Sequence, residues 1–369
     1  MQRKFWVSSR SIINNQATLA RILYHIIMCK SPQASAAYSL VSNLQSLFVQ
    51  RLEQVSEDVD EAIKFQETVW LRDEGRHGGG SRFSSERDNA VFNGASVNVS
   101  HVHYNDDDTK GLGSATALST IIHPANPHAA SMHMHISWTE MKDSSGYWRI
   151  MADLNPSIAK PEQTKIFYNT LKDVTREYYE EGAAQGDKYF YIPVLGRHRG
   201  VSHYYLEGFS SNDQDQDIKL AKSFGEAVIE TYSDLLKSSL ISHSEFSEED
   251  KRSQLDYHTL YFLQVLTLDR GTTSGLLVNN QNDLGIMGSL PAYVDKALLI
   301  SWLERMPLLQ KELLEGLINI IPDVGVNRVT DQVRLSCARV VREFYKKNPE
   351  ALKYQASGNV MPPTVKNHQ

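Results

Sequence analysis

Histidines dominate the part of the chain where side chains are best placed to do chemistry. Six of the thirteen histidines fall between positions 101 and 135. Imidazole exchanges protons near neutral pH and binds metal ions, so imidazoles on one surface favour a proton-transfer or metal site. Any one of these histidines is most simply interpreted as a hydrogen-bonded side chain on a half-buried sheet. The six histidines taken together favour a functional cavity. No carboxylate stands at an obvious ligand spacing, so we expect no metal there.

Alternating runs predict the strands that must position these imidazoles. The first run is 97–104, the second is 118–123 and the third is 132–138. The side chains predicted to share a face are Val97, Val99, His101 and His103 in the first run, Ser119, Ile121 and His123 in the second, and His133, His135 and Ser137 in the third. Prolines and an asparagine between the last two runs predict an antiparallel return.

Asp153 is a candidate acid at the end of an apolar strand. It stands in YWRIMADLNP, just before a proline-bearing turn. A carboxylate in a partly buried cleft accepts N–H hydrogen bonds well. The same pattern is typical of an aspartate that initiates a turn, and from the residues alone that interpretation prevails.

A glycine cluster offers a second, weaker candidate site. Gly75 and the run 78–80 interrupt a polar segment that carries Arg72, Arg76 and Arg82. Glycine lets backbone N–H groups approach an anion, but the spacing matches no phosphate-binding or dinucleotide-binding motif. A mobile surface loop is the alternative interpretation.

Helical spacing predicts the elements that must cover this sheet. Helices are predicted over 36–63, 166–182, 218–239 and 294–321, and further strands over 188–195 and 261–268. The chain shows no internal repeat and no low-complexity block.

Composition restricts the function classes. A chain of 369 residues with 41% hydrophobic residues can bury a large core, so a disordered protein is excluded. The net charge of −6 is spread over mixed signs, so we expect no nucleic-acid partner. No apolar run approaches the roughly 20 residues that span a bilayer. Two cysteines indicate a reducing compartment.

The first 52 residues contain no Asp or Glu and are rich in serine and basic residues. That composition is typical of an organelle transit peptide, and an N-terminal extension or a true start at Met28 are the alternatives. We expect a cytoplasmic protein, or a mitochondrial one if the leader is a transit peptide. The predicted organisation is a leader over 1–35, a main domain over 36–292, and a helical C-terminal extension with a flexible tail over 293–369.

Six motifs in order and spacing resemble the oxygen-dependent coproporphyrinogen III oxidase family, and we interpret the chain as a divergent member. The motifs are VWLRDEG with GGG shortly after it (69–80), VNVSHVH (97–103), STIIHPANPHAASMH (119–133), DLNP (153–156), DKYFYIP (187–193) and LDRGTTSGL (268–276).

The resemblance implies an α/β fold of the α+β type, in which a flat antiparallel sheet has helices on both faces, and it implies a homodimer. The implied reaction is the oxidative decarboxylation of two propionates of coproporphyrinogen III to vinyl groups, giving protoporphyrinogen IX in haem biosynthesis. Dioxygen is the implied acceptor, with hydrogen peroxide and carbon dioxide as products, and neither an organic cofactor nor a metal is expected.

The resemblance also implies roles for particular residues. Asp153 matches the family's pyrrole-facing carboxylate, and His133 matches its proton donor. Ser119 matches a serine that contacts substrate, and His123 matches another active-site histidine. Together with His135 and Arg199, Ser119 and His123 are the predicted substrate-binding residues.

The chain departs from the family where the substrate carboxylates are bound. His135 and Ser137 replace an Asn and an Arg, Tyr168 replaces a helical histidine, and residues 279–281 replace a GGR segment. A tetra-anionic substrate needs cationic partners. The candidate replacements are Arg149, Arg197, Arg199, His135, His198 and His203.

Two other functions remain open at this point. One is a paralogue that binds a tetrapyrrole without turnover. The other is a metal-dependent oxidase or hydrolase that uses the histidine-rich sheet face.

Overall fold

The computed structural model describes residues 31–358. Most of the predicted leader (1–35) and the end of the predicted tail (359–369) therefore lie outside the described residues. Within residues 31–358, no helix has the length and apolar composition needed to cross a bilayer.

A seven-stranded antiparallel sheet organises the chain. Its strands are β1 (Gln66–Leu71), β2 (Gly78–Ser84), β3 (Phe92–His103), β4 (Leu112–Pro124), β5 (Ser131–Met141), β6 (Gly146–Asn155) and β9 (Val201–Phe209), in the order β1-β2-β3-β4-β5-β6-β9. The intervening β7 (Tyr191–Ile192) and β8 (Arg197–His198) form a separate two-stranded ribbon. The predicted return between the second and third alternating runs is confirmed, because Ile121 pairs with His133 and Ser119 with His135.

One face of the sheet is apolar and is covered by helices. These are α1 (Pro32–Glu57), α2 (Pro161–Thr175) and α4 (Gln214–Ser242). Leu118, Ile136 and Ile150 point into this layer and are fully buried, together with Phe48 of α1. Their burial supplies much of the hydrophobic stabilisation, at about 1.5–3 kcal/mol for each large side chain. Helix α3 (Tyr179–Phe190) packs along the edge strand β9, and Gly182 lies directly against the ring of Tyr204.

The opposite face is covered by the C-terminal part of the chain. The helices are α5 (Glu248–Thr267), α6 (Arg270–Val278), α7 (Asp283–Ile286), α8 (Lys296–Trp302), α9 (Leu308–Ile320) and α10 (Asp331–Lys347), and β10 (Tyr293–Asp295) pairs with β11 (Val326–Arg328). Side chains from both sides of the predicted boundary at residue 292 share one hydrophobic cluster. The predicted fold of an antiparallel sheet with helices on both faces is confirmed.

Two strand predictions are wrong. Residues 261–268 fall in α5 and its C-cap, where every side chain from Tyr257 to Thr267 is buried. A helix that is apolar on all sides shows no 3.6-residue period, so its sequence resembles a buried strand. Residues 188–195 mostly end α3 and form a single 3-10 turn, and only Tyr191–Ile192 pair as a strand.

The glycine cluster is part of the sheet and not a surface loop. Gly78 has φ +92°, and a Cβ atom there would lie 2.2 Å from the carbonyl oxygen of His101. Only glycine permits this close approach of β2 to β3.

Candidate active site

A cavity of about 320 Å³ lies between the polar face of the sheet and helices α5 to α7. This volume is at the lower end of the range for ligand pockets. Strands β3 to β6 and β9 form the floor, and the start of α6 forms part of the wall. Its lining includes Ser119, His133, His135, Arg149, Arg199 and Arg270.

Asp153 does not itself line this cavity. It is fully buried behind His133 and Arg199, which do. Its Oδ2 accepts hydrogen bonds from Arg199 Nη2 at 2.8 Å and from Asn155 Nδ2 at 2.6 Å. Its Oδ1 is 3.2 Å from Nδ1 of His133, the residue that pairs with it across β5 and β6. The carboxylate is therefore bound from both sides, and it reaches the cavity through His133 and Arg199.

The charges around Asp153 keep it ionised. Burial acts to raise the pKa of Asp153, but Arg199 and His133 outweigh this effect and hold that pKa below its usual value. Arg199 is only 2% exposed, and its guanidinium lies between the rings of Phe190 and Tyr261, at 4.8 and 4.9 Å. The same carboxylate raises the pKa of Arg199 against the opposing effect of burial.

The contact with Asp153 fixes how His133 can act. Nδ1 of His133 is 3.2 Å from Asp153 Oδ1, which only accepts, and 3.5 Å from Arg199 Nη2, which only donates. The shorter contact with the carboxylate favours a proton on Nδ1. Nε2 is then the basic nitrogen of the ring, and His133 lines the cavity. This arrangement of carboxylate and imidazole is suited to take a proton from a bound molecule and to return it.

A second imidazole beside it is held neutral. His135 Nδ1 is 2.8 Å from Ser119 Oγ, and His135 Nε2 is 2.9 Å from Ser137 Oγ. Burial, Arg149 and His133 lower the pKa of His135 to about 3. Both ring nitrogens of His135 are therefore used by the two serines, and of this group Ser119 can offer a hydrogen bond to a ligand. His135 does not supply the positive charge that its replacement role requires.

Of the remaining predicted residues, one lines the cavity and the others lie outside its lining. Arg149 lines the cavity, whereas Arg197, His198 and His203 lie outside its lining. His123 is fully buried, 3.0 Å from Ser131 Oγ and 3.1 Å from the Ser289 carbonyl, and is not in the lining. Its role in substrate binding stays a prediction.

The histidines do not all converge on one face of the sheet. The ring of His101 meets that of Tyr38 of α1 edge to face, with the ring centres 5.6 Å apart, on the face opposite to His133. The first alternating run is confirmed as a strand, but its histidines belong to the apolar helix layer. Fewer histidines therefore line the cavity than the six that the sequence places between positions 101 and 135.

Sequence reasoning did not single out Glu207 and Arg270, which form a second buried ion pair at the cavity wall. Tyr205 donates to Glu207 Oε1 at 3.1 Å, and the Gly358 amide donates to Oε2 at 2.9 Å. The only available signal was the LDRGTTSGL motif, which contains Arg270. Arg72, in the segment before the glycines, also lines the cavity.

Comparison with known proteins agrees with the motif order. The family model described as coproporphyrinogen III oxidase matches residues 36–299, more than two thirds of the chain. The oxygen-dependent coproporphyrinogen-III oxidase, mitochondrial, of Rattus norvegicus is 28% identical over 258 residues, covering 63% of this chain and 57% of that protein. The protein of that name from Homo sapiens is 27% identical over 277 residues, covering 68% of this chain and 59% of that protein.

A bacterial relative is covered almost completely. The oxygen-dependent coproporphyrinogen-III oxidase of Rickettsia bellii (strain OSU 85-389) is 26% identical over 275 residues, covering 69% of this chain and 95% of that protein. The alignments span less than three fifths of the two mammalian proteins.

Proposed function

Because the chain belongs to the coproporphyrinogen III oxidase family, we propose that it catalyses the oxygen-dependent conversion of coproporphyrinogen III to protoporphyrinogen IX in haem biosynthesis. The observation that carries the proposal is that His133, which lines the cavity, contacts the ionised and buried Asp153.

Each of the two steps is an oxidative decarboxylation. A propionic side chain and one dioxygen give a vinyl group, one carbon dioxide and one hydrogen peroxide. The carbon–carbon bond to the carboxyl group breaks, the β-carbon loses a hydrogen, and dioxygen accepts the two electrons. The chain must therefore hold the macrocycle, move a proton and admit dioxygen.

We assign contact with the pyrrole to His133, since Asp153 is fully buried. Nε2 of His133 removes the pyrrole N–H proton, and Asp153 stabilises the imidazolium that results. Arg199 keeps Asp153 in the ionised form that this role needs. Dioxygen then reacts with the electron-rich ring, the peroxide formed takes the β-hydrogen of the propionate, and carbon dioxide leaves.

Arg72 and Arg149 are the proposed partners of the substrate carboxylates. Both line the cavity. Arg199 and Arg270 line it as well and are held by the buried acids Asp153 and Glu207, whereas the acid that pairs with Arg72, Asp73, is half exposed. Ser119, which His135 holds in place, adds a neutral hydrogen bond that orients a carboxylate without adding charge.

We propose that the reaction in this cavity needs no organic cofactor and no metal, with dioxygen as the second substrate. Turnover by protein treated with a chelator supports this proposal if the rate is unchanged. Loss of turnover that returns only on addition of a metal contradicts it.

We also propose that the chain forms a homodimer, as the family resemblance implies. Light scattering on the eluting peak of a size-exclusion column measures the mass directly. A mass of two chains is expected, and a monomer at assay concentration contradicts the proposal.

The proposed compartment is the cytoplasm, and the mitochondrion is the alternative if the acid-free leader directs import. The names of the mammalian relatives include the word mitochondrial. Sequencing the N-terminus of the protein isolated from its native cells separates the two, because an imported protein loses its leader.

The activity itself is tested by adding coproporphyrinogen III without oxygen and then admitting oxygen. Chromatography follows the four-, three- and two-carboxylate porphyrins after oxidation. Loss of two carboxylates per macrocycle with release of carbon dioxide is the expected result. Tight binding of the substrate with no loss of carboxylate contradicts the proposal and favours a binding paralogue.

A further inference from the structure

Three side chains of metal-ligand type meet outside the cavity. Candidate ligand atoms of Asp187, His198 and His203 lie within 4.8 Å of one another. Asp187 is in the last turn of α3, His198 is in β8 and His203 is in β9. None of them lines the cavity that contains His133.

The backbone conformation at Gly200 and Ser202 brings His198 and His203 together. Gly200 has φ +69° and Ser202 has φ +52°, so the chain turns sharply between β8 and β9. A left-handed serine is uncommon, and here Ser202 Oγ is bound to the Thr164 carbonyl at 3.1 Å. The turn stacks the rings of His198 and His203 with their centres 5.1 Å apart.

One hydrogen bond of His203 matches that of a metal ligand, and the other, in which Nδ1 donates to the Asp187 carboxylate, is one that a bound ion would replace. Its Nε2 lies 2.7 Å from the Arg199 carbonyl oxygen, which only accepts, so Nε2 carries the proton. A backbone carbonyl on one nitrogen is the usual partner that orients a ligating histidine. The other nitrogen, Nδ1, faces Asp187 Oδ1 at 2.7 Å.

We propose that Asp187, His198 and His203 bind one borderline divalent transition-metal ion, such as Zn²⁺ or Co²⁺. Two imidazoles and one carboxylate match the donors that these ions prefer, whereas Mg²⁺ and Ca²⁺ prefer oxygen donors alone. Bonds near 2.0–2.1 Å in a tetrahedral site place ligand atoms about 3.3 Å apart. Separations of up to 4.8 Å must therefore shorten by about 1.5 Å, and the side chain of Asp187, which is 64% exposed, has room to move.

The site has the form of an open metal site. Three protein ligands leave a fourth position for water or another small ligand. His203 also holds the carbonyl of Arg199, whose side chain binds Asp153. A bound ion therefore fixes the turn that carries Arg199. The proposal does not rest on porphyrinogen turnover.

The test uses the untagged full chain, stripped with a chelator and titrated with Co²⁺ alone. Calorimetry gives the affinity, and visible absorption reports Co²⁺ with imidazole and carboxylate ligands. We expect saturable binding that a large excess of Mg²⁺ does not displace. His198→Ala and Asp187→Asn, both at exposed side chains, are expected to weaken it by at least about tenfold, as for the loss of one ligand.

A matched control is available on the same protein. His128 and His243 also stack, with ring centres 4.5 Å apart, but His243 Nε2 faces the Lys160 ammonium at 3.1 Å. A positive charge at that nitrogen opposes a metal ion, so His243→Ala is expected to leave Co²⁺ binding unchanged.

Circular dichroism verifies that each variant is folded. Absence of saturable Co²⁺ binding by the wild type overturns the proposal. Equal Co²⁺ affinity in the wild type, His198→Ala and Asp187→Asn also overturns it, because the ion is then bound elsewhere.

Discussion

Two buried ion pairs lie on the same face of the sheet, and they differ in the side chains that surround them. Asp153 and Arg199 meet beside His133 at the cavity floor. Glu207 and Arg270 meet beside Tyr205 and the Gly358 amide, where β9, α6 and the end of the described chain come together. Both acids are inaccessible to solvent, and both arginines line the cavity.

The difference between the pairs is the group that links each acid to the cavity. His133 links Asp153 to the cavity through an imidazole, a group that can take up and release a proton. Tyr205 cannot do the same for Glu207, because burial raises the pKa of its phenol. A buried arginine–carboxylate pair alone therefore does not mark a catalytic site, and the adjoining imidazole is the reason why we propose one beside Asp153.

The substitution His133→Gln is expected to have the largest effect on turnover. Turnover should fall by about 10²–10⁴, because the group that moves the proton is lost. Steady-state decarboxylation of coproporphyrinogen III measures this. Glu207→Gln serves as the control and should turn over at the wild-type rate, and an active His133→Gln protein would remove His133 from the mechanism.

Breaking the Glu207–Arg270 pair is expected to lower the stability of the folded protein. Glu207→Ala is expected to lower the free energy of unfolding by about 3–5 kcal/mol, because it leaves Arg270 buried without its partner. Urea unfolding followed by fluorescence measures the loss. A loss below about 1 kcal/mol would show that water already compensates Arg270.

The pH dependence of stability gives a third comparison, since the Asp153 side also contains His135. An unfolded histidine titrates near 6.5, whereas the pKa of folded His135 is lowered to about 3. The unfolded chain binds the extra proton between these values, so this contribution is complete above pH 6.5 and is lost as the pH falls toward 3.

Going from pH 7 to pH 5 should therefore cost about 1–2 kcal/mol through His135. His135→Asn removes that titration and should make the dependence of the unfolding free energy on pH shallower. Urea unfolding of both proteins at pH 7, 6 and 5 measures it. Equal slopes in the two proteins would mean that His135 is not held neutral.

Arg149→Met tests one of the cavity arginines that we assign to the substrate carboxylates. KM should rise about tenfold, or about 1.4 kcal/mol, with a smaller change in kcat. Arg76→Met is a matched control, because Arg76 is exposed and paired with Asp106 at 2.6 Å. An unchanged KM in Arg149→Met would exclude Arg149 as a carboxylate partner.

The smallest effect is expected from Tyr168→His, which restores the residue type of the family at that position. Tyr168 lines a different groove, beside Tyr179, and not the cavity of His133. The value of kcat/KM should change by less than about twofold. A large gain would place Tyr168 at the substrate.

Much of the sheet could be predicted from its sequence, because alternation is a local signal. Val97 and Val99 on one face, and Ser119 and Ile121 on the other, follow from the two-residue period. Helix α5 could not be predicted in this way, since burial on all sides of its second half erases the period.

The site could be predicted only in part. Asp153 and His133 were identified by resemblance, and their pairing follows from strand register. The contact of Asp153 with Arg199 joins residues 46 positions apart, and that of Glu207 with Arg270 depends on how α6 docks on β9. No local pattern encodes such contacts, because the tertiary packing creates them.

We propose that the ionised carboxylate of Asp153, acting through His133, is required for the reaction. The most direct test is a single-turnover experiment, in which Asp153→Asn and Glu207→Gln are loaded with coproporphyrinogen III without oxygen and then mixed with oxygen. We expect Asp153→Asn to bind the substrate but to form the three-carboxylate product at least about a hundredfold more slowly, while Glu207→Gln reacts at the wild-type rate. Product formation by Asp153→Asn at the wild-type rate would contradict the claim.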